Sequence, residues 1–183
     1  MHIGIYIKNW NDMIVITENQ YRFLKEIQNT SNVKYEAIFV AGYETGYGTD
    51  KQLQYFKSGF GSNRNVAVFK FDLTPFNHQQ SVTDVLAGNP KIPVFLFSAG
   101  AQNAGALSSN GNVDKKKLYV IQPNGTREAV KTSVDAAVGN GVPAGNIFVG
   151  AAPTIGSGIV QGATPTASKD HFQALTEVAS KMA

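Results

Sequence analysis

Five short runs of consecutive apolar residues set the strongest limit on how this chain can fold. A strand that is apolar at every position has to be buried on both faces, which is typical of parallel sheets. Segments with helical spacing or turn residues separate the runs, as expected for strands joined by crossover helices. The sequence therefore predicts an α/β fold, a three-layer sandwich around a mostly parallel sheet. The predicted strands are residues 37–41, 66–71, 93–97, 117–121 and 146–150.

The start of the chain predicts an antiparallel hairpin. β-rich runs at residues 2–7 and 13–17 flank residues 9–12, whose sequence Asn-Trp-Asn-Asp suits a turn. No repeat, low-complexity tract or long polar linker follows, so we expect residues 1–183 to form a single α/β domain. The predicted helices are residues 21–28, which end before Asn29, and 50–58, 79–87, 99–108, 126–138 and 170–182.

Composition excludes several classes of function. The chain is 43% apolar and 16% charged, and its net charge of +3 is too small for the basic surface that neutralises a nucleic-acid backbone. It contains no cysteine, which rules out disulfides, a thiolate nucleophile, a zinc ribbon and an iron–sulfur cluster. No cofactor or metal motif stands out. We see no cleavable signal peptide and no apolar run long enough to cross a bilayer, so we expect a soluble protein, cytoplasmic by default, with signal-free export left open.

The most specific motif is a serine directly after a buried run. Ser98 follows residues 93–97, and two small residues, Ala99 and Gly100, lead into a segment with helical composition. This is the layout of a nucleophile elbow, in which the serine Oγ is exposed and the N–H of Ala99 faces a developing oxyanion. Leu96 replaces the first glycine of the G-x-S-x-G pattern, whereas Gly100 fills the second position. The alternative is a serine that caps the following helix.

A nucleophilic serine needs a base, and His171 is the histidine best placed to supply one. It precedes the last predicted helix, and a loop at the same edge of the sheet can bring it to Ser98. The alternative is a residue of the first helical turn that packs or is hydrated. His78 follows residues 66–71 and could face the same edge, whereas His2 belongs to the first predicted strand.

Two loops complete the candidate site. In residues 41–50 three glycines free the backbone to approach an anion, so Gly42 with the N–H of Tyr43 or Glu44 could supply a second oxyanion donor or hold a phosphate. A flexible turn explains the glycines equally well, and neither phosphate-binding spacing is matched. Residues 151–168 are small or β-branched and contain no ionisable side chain, which is typical of a lid, a binding loop or a short hairpin.

The order of these segments resembles that of a small α/β-hydrolase of the cutinase or lipase type. Residues 40–43 look like the oxyanion loop of that family, 97–100 like its elbow and 170–172 like its histidine loop. The resemblance implies an α/β-hydrolase-like fold and a serine nucleophile. It also implies an acid between the last strands and the histidine.

The sequence departs from the family at that acid. Neither Asp nor Glu occurs between Asp135 and Asp170. The remaining candidates are Asp72, after residues 66–71, and Asp170, beside His171. A Ser/His dyad without an acid keeps part of the catalytic effect, because the oxyanion hole and substrate binding act independently of the acid.

Three functions follow from these features. The first is a serine hydrolase of an ester, thioester or amide, with Ser98 and His171 acting on a small acyl substrate. The second is a catalytically inactive accessory or binding protein that presents its many aromatic residues to a protein partner. The third, with the weakest motif, is a nucleotide binder that uses residues 42–48.

Overall fold

The first strands form a small sheet of their own. The computed structural model describes residues 2–6, 13–20, 33–43, 47–123, 128–150, 160–168 and 170–183. Within these, β1 (His2–Tyr6) pairs antiparallel with β2 (Met13–Thr17), with His2 opposite Thr17 and Tyr6 opposite Met13. This pair belongs to one compact unit, Met1–Val33, and the rest of the chain forms a second, Lys34–Ala183. The predicted hairpin turn and the predicted helix at 21–28 lie outside the described residues.

The second unit is built around six parallel strands. Their order across the sheet is β4-β3-β5-β6-β7-β8, and every neighbouring pair runs parallel, so the antiparallel pair takes no part in this sheet. The α/β class and all five predicted strands are confirmed. The sixth strand, β8, was missed because it is two residues long and contains a proline. The strands are β3 (Ala37–Val40), β4 (Val66–Phe69), β5 (Val94–Phe97), β6 (Leu118–Ile121), β7 (Ile147–Val149) and β8 (Thr164–Pro165).

Helices follow most of the strands, as predicted, with small changes at their ends. The predicted helix at 99–108 differs most, because its first half is a 3-10 helix, Ser98–Asn103. This 3-10 helix begins at Ser98, where the chain passes directly from β5 into a helix. The α-helices are α1 (Thr49–Phe60), α2 (Val82–Gly88), α3 (Ala104–Ser108), α4 (Glu128–Gly139) and α5 (His171–Lys181). Two further 3-10 turns, Lys115–Lys117 and Ala144–Asn146, precede β6 and β7.

Alternating strand residues build apolar layers on both faces of the sheet. On one face Phe39 and Phe95 belong to a cluster with Phe56 of α1 and Leu175 of α5. Residues of opposite orientation, such as Leu96, are equally buried, and α3 and α4 contribute buried residues of their own. Each large apolar side chain buried in this way stabilises the fold by about 1.5–3 kcal/mol. Burial on both faces explains why the strands are apolar at consecutive positions.

Helices α1 and α5 cross at a glycine. A β-carbon at Gly59 would lie 2.2 Å from the carbonyl oxygen of Thr176, so a larger residue would push the helices apart. Beside this point the hydroxyls of Ser58 and Thr176 are 3.2 Å apart and share a hydrogen bond. The pair α1 and α5 therefore forms one closely packed layer over the face of the sheet that bears Phe39.

The strand order fixes where a site can form. From β3 the chain moves to β4 on one side and then returns to place β5 on the other side of β3. In open parallel sheets such a reversal leaves a crevice at the carboxyl ends of the two central strands, and ligands bind there. The segments that meet at this crevice begin at Ala41 and Ser98. Among the described residues, no helix has the length and apolar character needed to span a membrane.

Candidate functional site

Ser98 has a strained backbone at the carboxyl end of β5. Its φ angle is +52°, in the left-handed region that residues with a β-carbon rarely adopt and that costs roughly 1–3 kcal/mol. The N-cap of the following 3-10 helix is Phe97, and Ser98 is the first residue inside that helix. The interpretation of Ser98 as a helix cap is therefore wrong. The turn instead leaves the serine partly exposed between a strand and a helix.

Two glycines make this turn sterically possible. A β-carbon at Gly42 would lie 2.7 Å from the Ser98 Cβ and 3.1 Å from its Oγ, so the serine side chain lies directly over the backbone of Gly42. A β-carbon at Gly100 would lie 2.7 Å from the carbonyl oxygen of Ala41 and 2.8 Å from that of Val40. The loop after β3 and the helix after β5 therefore approach each other as closely as their backbones allow.

The glycine-rich loop is held by one buried amide. Gln52 of α1 accepts a hydrogen bond from the N–H of Gly42 at 2.8 Å, and its Nε2 donates to the carbonyls of Tyr43 and Tyr47 at 3.0 Å each. The N–H of Gly42 is thus committed within the protein rather than to an anion. The Tyr43 ring packs against Phe71, with centroids 4.2 Å apart. Glu44, the other predicted donor, lies outside the described residues.

His171 begins α5 beside the strand that carries the serine. Its ring centroid is 4.6 Å from that of Phe97, the residue before Ser98, and 5.6 Å from that of Phe172. His171 therefore packs against the ring of the residue that precedes Ser98, although Ser98 and His171 form no hydrogen bond with each other. Burial lowers the pKa of His171 below its ordinary value of 6.5, and the charge of Asp170 opposes this shift. A neutral imidazole is the form that accepts a proton.

Neither candidate acid holds the imidazole. The Oδ1 of Asp170 accepts hydrogen bonds from the N–H groups of Phe172 and Gln173, at 2.9 and 2.8 Å, and so caps α5. Asp72 is exposed and accepts from the N–H of Thr74 within its own turn, which lowers its pKa. Because these carboxylates serve local backbone, the expectation that either one orients His171 has no support in their hydrogen bonds. Residues 151–159 contain no carboxylate to replace them.

The structure adds two residues that the sequence analysis did not select. Gln122 directly follows β6, has a φ angle of +47°, and donates from Nε2 to the Oγ1 of Thr166 at 2.8 Å. Thr166 follows β8 and is buried. The signal for Gln122 was present in the sequence, because it is a polar residue immediately after an apolar run, as Ser98 is. The sequence gives no corresponding signal for Thr166.

His78 belongs to a different part of the molecule. Its ring packs against Phe69 and against Tyr35, with centroids 4.7 and 5.6 Å away, and its Nδ1 accepts from the N–H of Gln80. These contacts place His78 beside β4, between Phe69 at its end and Tyr35 ahead of β3. Burial lowers the pKa of His78. Its Nε2 has no hydrogen-bond partner in the part of the chain that the structure describes.

A shallow groove of about 510 Å³ runs along the exposed face of α1, between Leu53, Lys57 and the exposed ring of Phe76. It contains none of the predicted site residues. The described residues also hold no group of His and carboxylate side chains that could bind a metal ion.

Comparisons with family models, with curated proteins and with solved structures gave no match to this chain. The function therefore has to be inferred from the geometry at the ends of β3 and β5.

Proposed function

We propose that this protein is a serine hydrolase that cleaves an ester, thioester or amide, with Ser98 as nucleophile and His171 as base. The observation that carries the proposal is the left-handed backbone of Ser98 at a strand-to-helix turn. Local strain of this kind persists where the surrounding structure enforces it and often accompanies function. A strained serine between a buried strand and a helix is also the defining geometry of the nucleophile elbow, and an α/β-hydrolase-like fold is part of the proposal.

The reaction would proceed by acyl transfer. The Ser98 Oγ attacks the substrate carbonyl carbon while its proton moves to the imidazole of His171. The tetrahedral intermediate then expels the leaving group, which takes the proton from His171. Water, activated by the same imidazole, hydrolyses the acyl-serine and restores the free hydroxyl. Because Ser98 and His171 are not hydrogen bonded in this structure, substrate binding has to bring the two groups within about 3 Å of each other.

The oxyanion would be stabilised by backbone N–H groups. Ala99 lies in the first turn of the 3-10 helix, where N–H groups have no acceptor within the helix. Such donors contribute most to catalysis when they are fixed before the reaction, as the tight packing of Gly100 against β3 would ensure. The glycine-rich loop is the segment that would supply a second donor. Gly42 itself is excluded because Gln52 occupies its N–H.

Hydrolysis of short acyl esters, thioesters and anilides tests the proposal. We expect Ser98→Ala to abolish turnover, and His171→Asn to lower kcat/KM by about 10²–10⁴-fold, the usual contribution of a general base. Ser109→Ala is the matched control. Ser109 is an exposed serine directly after α3, the helix that continues from the 3-10 helix of Ser98. Turnover that survives Ser98→Ala would refute the assignment.

The second candidate is an inactive binding protein. It is favoured by the absence of a carboxylate hydrogen bond to the His171 ring and of a Ser98–His171 bond among the described residues. Such a protein would keep the sheet and act through a protein partner. Two measurements separate the candidates. A folded protein with no turnover on any acyl substrate, together with a stable complex in light scattering of the native preparation, would select the second.

A further inference from the structure

Two polar residues fasten the loop before His171 to the ends of neighbouring strands. Thr166, the residue after β8, donates from its backbone N–H to the carbonyl of Val149, the last residue of β7, at 2.8 Å. Its Oγ1 accepts from Gln122 at 2.8 Å, and lies 3.2 Å from the carbonyl oxygen of Val149 and 3.1 Å from that of Ser168. We call Gln122 and Thr166 the brace. It connects the ends of β6 and β7 to the segment that leads into α5.

Helix α5 itself holds the rest of this segment. The carboxylate of Glu177 accepts hydrogen bonds from the N–H groups of Ala167 and Ser168, at 3.2 and 3.0 Å. The hydroxyl of Ser168 and the backbone of Asp170 are also hydrogen bonded, at 3.2 and 3.3 Å. The backbone on the amino-terminal side of His171 is therefore fixed from two directions, by the helix and by the brace.

The imidazole has no such polar support. Among the described residues the His171 ring forms no hydrogen bond, and its ring contacts are with Phe97 and Phe172. In the Ser-His-Asp arrangement a carboxylate orients the imidazole directly. Here the direction of the ring has to follow from the position of its backbone. A displacement of residues 166–168 or of Asp170 would consequently move the ring.

Gln122 occupies a position whose backbone conformation favours glycine. Its φ of +47° suits glycine, and a side chain at such a position has a conformational cost. The amide makes use of that position, because Oε1 and Nε2 lie beside Gly150 and Nε2 reaches Thr166. Leu73 and Lys91 have similar φ angles, but Gln122 combines this backbone with a hydrogen bond to the buried hydroxyl of Thr166, which suggests a role beyond packing.

We propose that Gln122 and Thr166 are positioning residues that set the place of the His171 imidazole relative to Ser98 without touching it. This inference rests on the proposed function. It implies that the chain orients its base through the backbone of the loop and through aromatic packing, in place of a carboxylate.

The test compares two threonines on the same short segment. Thr166→Val removes the hydroxyl from the brace and keeps the side-chain shape. Thr164→Val is the matched control, because the Oγ1 of Thr164 donates to the carbonyl of Gly145, before β7 begins, at 2.8 Å. Two readouts are taken on each folded variant: the rate at which a fluorophosphonate modifies Ser98, and the pKa of His171 from the pH dependence of its imidazole NMR signals.

We expect Thr166→Val to slow modification of Ser98 at least about tenfold, since small misplacements of a catalytic group have large kinetic effects. We also expect the His171 pKa to rise toward 6.5 as water gains access to the ring, because burial is what lowers it. Thr164→Val should change neither readout. A modification rate within twofold of the wild type, with an unchanged His171 pKa, would overturn the proposal.

The two proposals fail in different ways. If the wild-type chain is never modified at Ser98, the proposed function fails, and the brace is then judged by the His171 pKa alone. If Thr166→Val does not fold, Gln122→Gly replaces it, because glycine accepts the φ angle and removes the amide together with the rest of the side chain. The same rise in the His171 pKa is expected in that variant, and an unchanged pKa would refute the role of the brace.

Discussion

At Ser98 the backbone favours glycine, while the proposed chemistry requires a hydroxyl. The left-handed φ angle disfavours any residue with a β-carbon, and the nearby glycines at 42 and 100 leave no space for the turn to relax. Stability alone would therefore favour a glycine at position 98. The presence of serine is explained if its Oγ reacts, which is the trade-off expected at a strained active site.

Replacement of Ser98 by glycine should separate strain from chemistry. We expect Ser98→Gly to be about 1 kcal/mol more stable than Ser98→Ala, because relief of left-handed strain outweighs the extra freedom of glycine in the unfolded chain. Both variants should lack hydrolase activity. Urea unfolding of the two variants measures the difference. Equal stability would mean that the backbone at this position is not strained.

At the scale of elements, the α1–α5 contact depends on Gly59. A glycine inside a helix normally destabilises it by roughly 0.5–1 kcal/mol relative to alanine. Here the missing β-carbon lets the carbonyl of Thr176 approach to a distance that alanine would block. The benefit of close helix packing therefore exceeds the cost of glycine within the helix.

Two glycine substitutions of opposite effect test this contact. Gly59→Ala should destabilise the fold by about 1–3 kcal/mol because the new methyl group meets the backbone of α5. Gly139→Ala, at the end of α4, should be neutral or stabilising by up to about 1 kcal/mol, since nothing lies within 4 Å of its β-carbon. Thermal or urea unfolding provides both values. A loss of stability at Gly139 equal to that at Gly59 would contradict the packing argument.

Over the whole molecule, partly buried histidines make stability depend on pH. Burial lowers the pKa of both His78 and His171 below 6.5. The unfolded chain therefore takes up protons near pH 6.5, before the folded chain does, and stability falls as the pH decreases from about 6.5 toward the folded pKa values. Asp72 and Glu177 have lowered pKa values too, so acid removes their contribution at a lower pH.

Replacement of His78 tests the histidine contribution. Asparagine can keep the acceptor that receives the N–H of Gln80 but does not titrate. We expect His78→Asn to weaken the fall in unfolding free energy between pH 7 and pH 5. The measurement is urea unfolding at several pH values, with the wild type alongside. An unchanged pH dependence would assign the effect to other groups.

Sequence and structure agree most closely where burial decides the outcome. Consecutive apolar residues predicted strands β3 to β7, because a strand buried on both faces has to be apolar at successive positions. The strand order has no counterpart in local sequence, since it depends on long-range pairing. Ser98 was identified from its place after a run, whereas the importance of Gln122 depends on a φ angle and on a partner 44 residues away. The spacing of residue types along the sequence does not predict a contact of that kind.

The most direct test of the account is the site of covalent modification by a fluorophosphonate on the intact chain, mapped by mass spectrometry of its peptides. We expect one adduct on Ser98, which disappears in Ser98→Ala and persists in Ser109→Ala. A folded protein that acquires no adduct, or one that is modified elsewhere and keeps the adduct in Ser98→Ala, would contradict it.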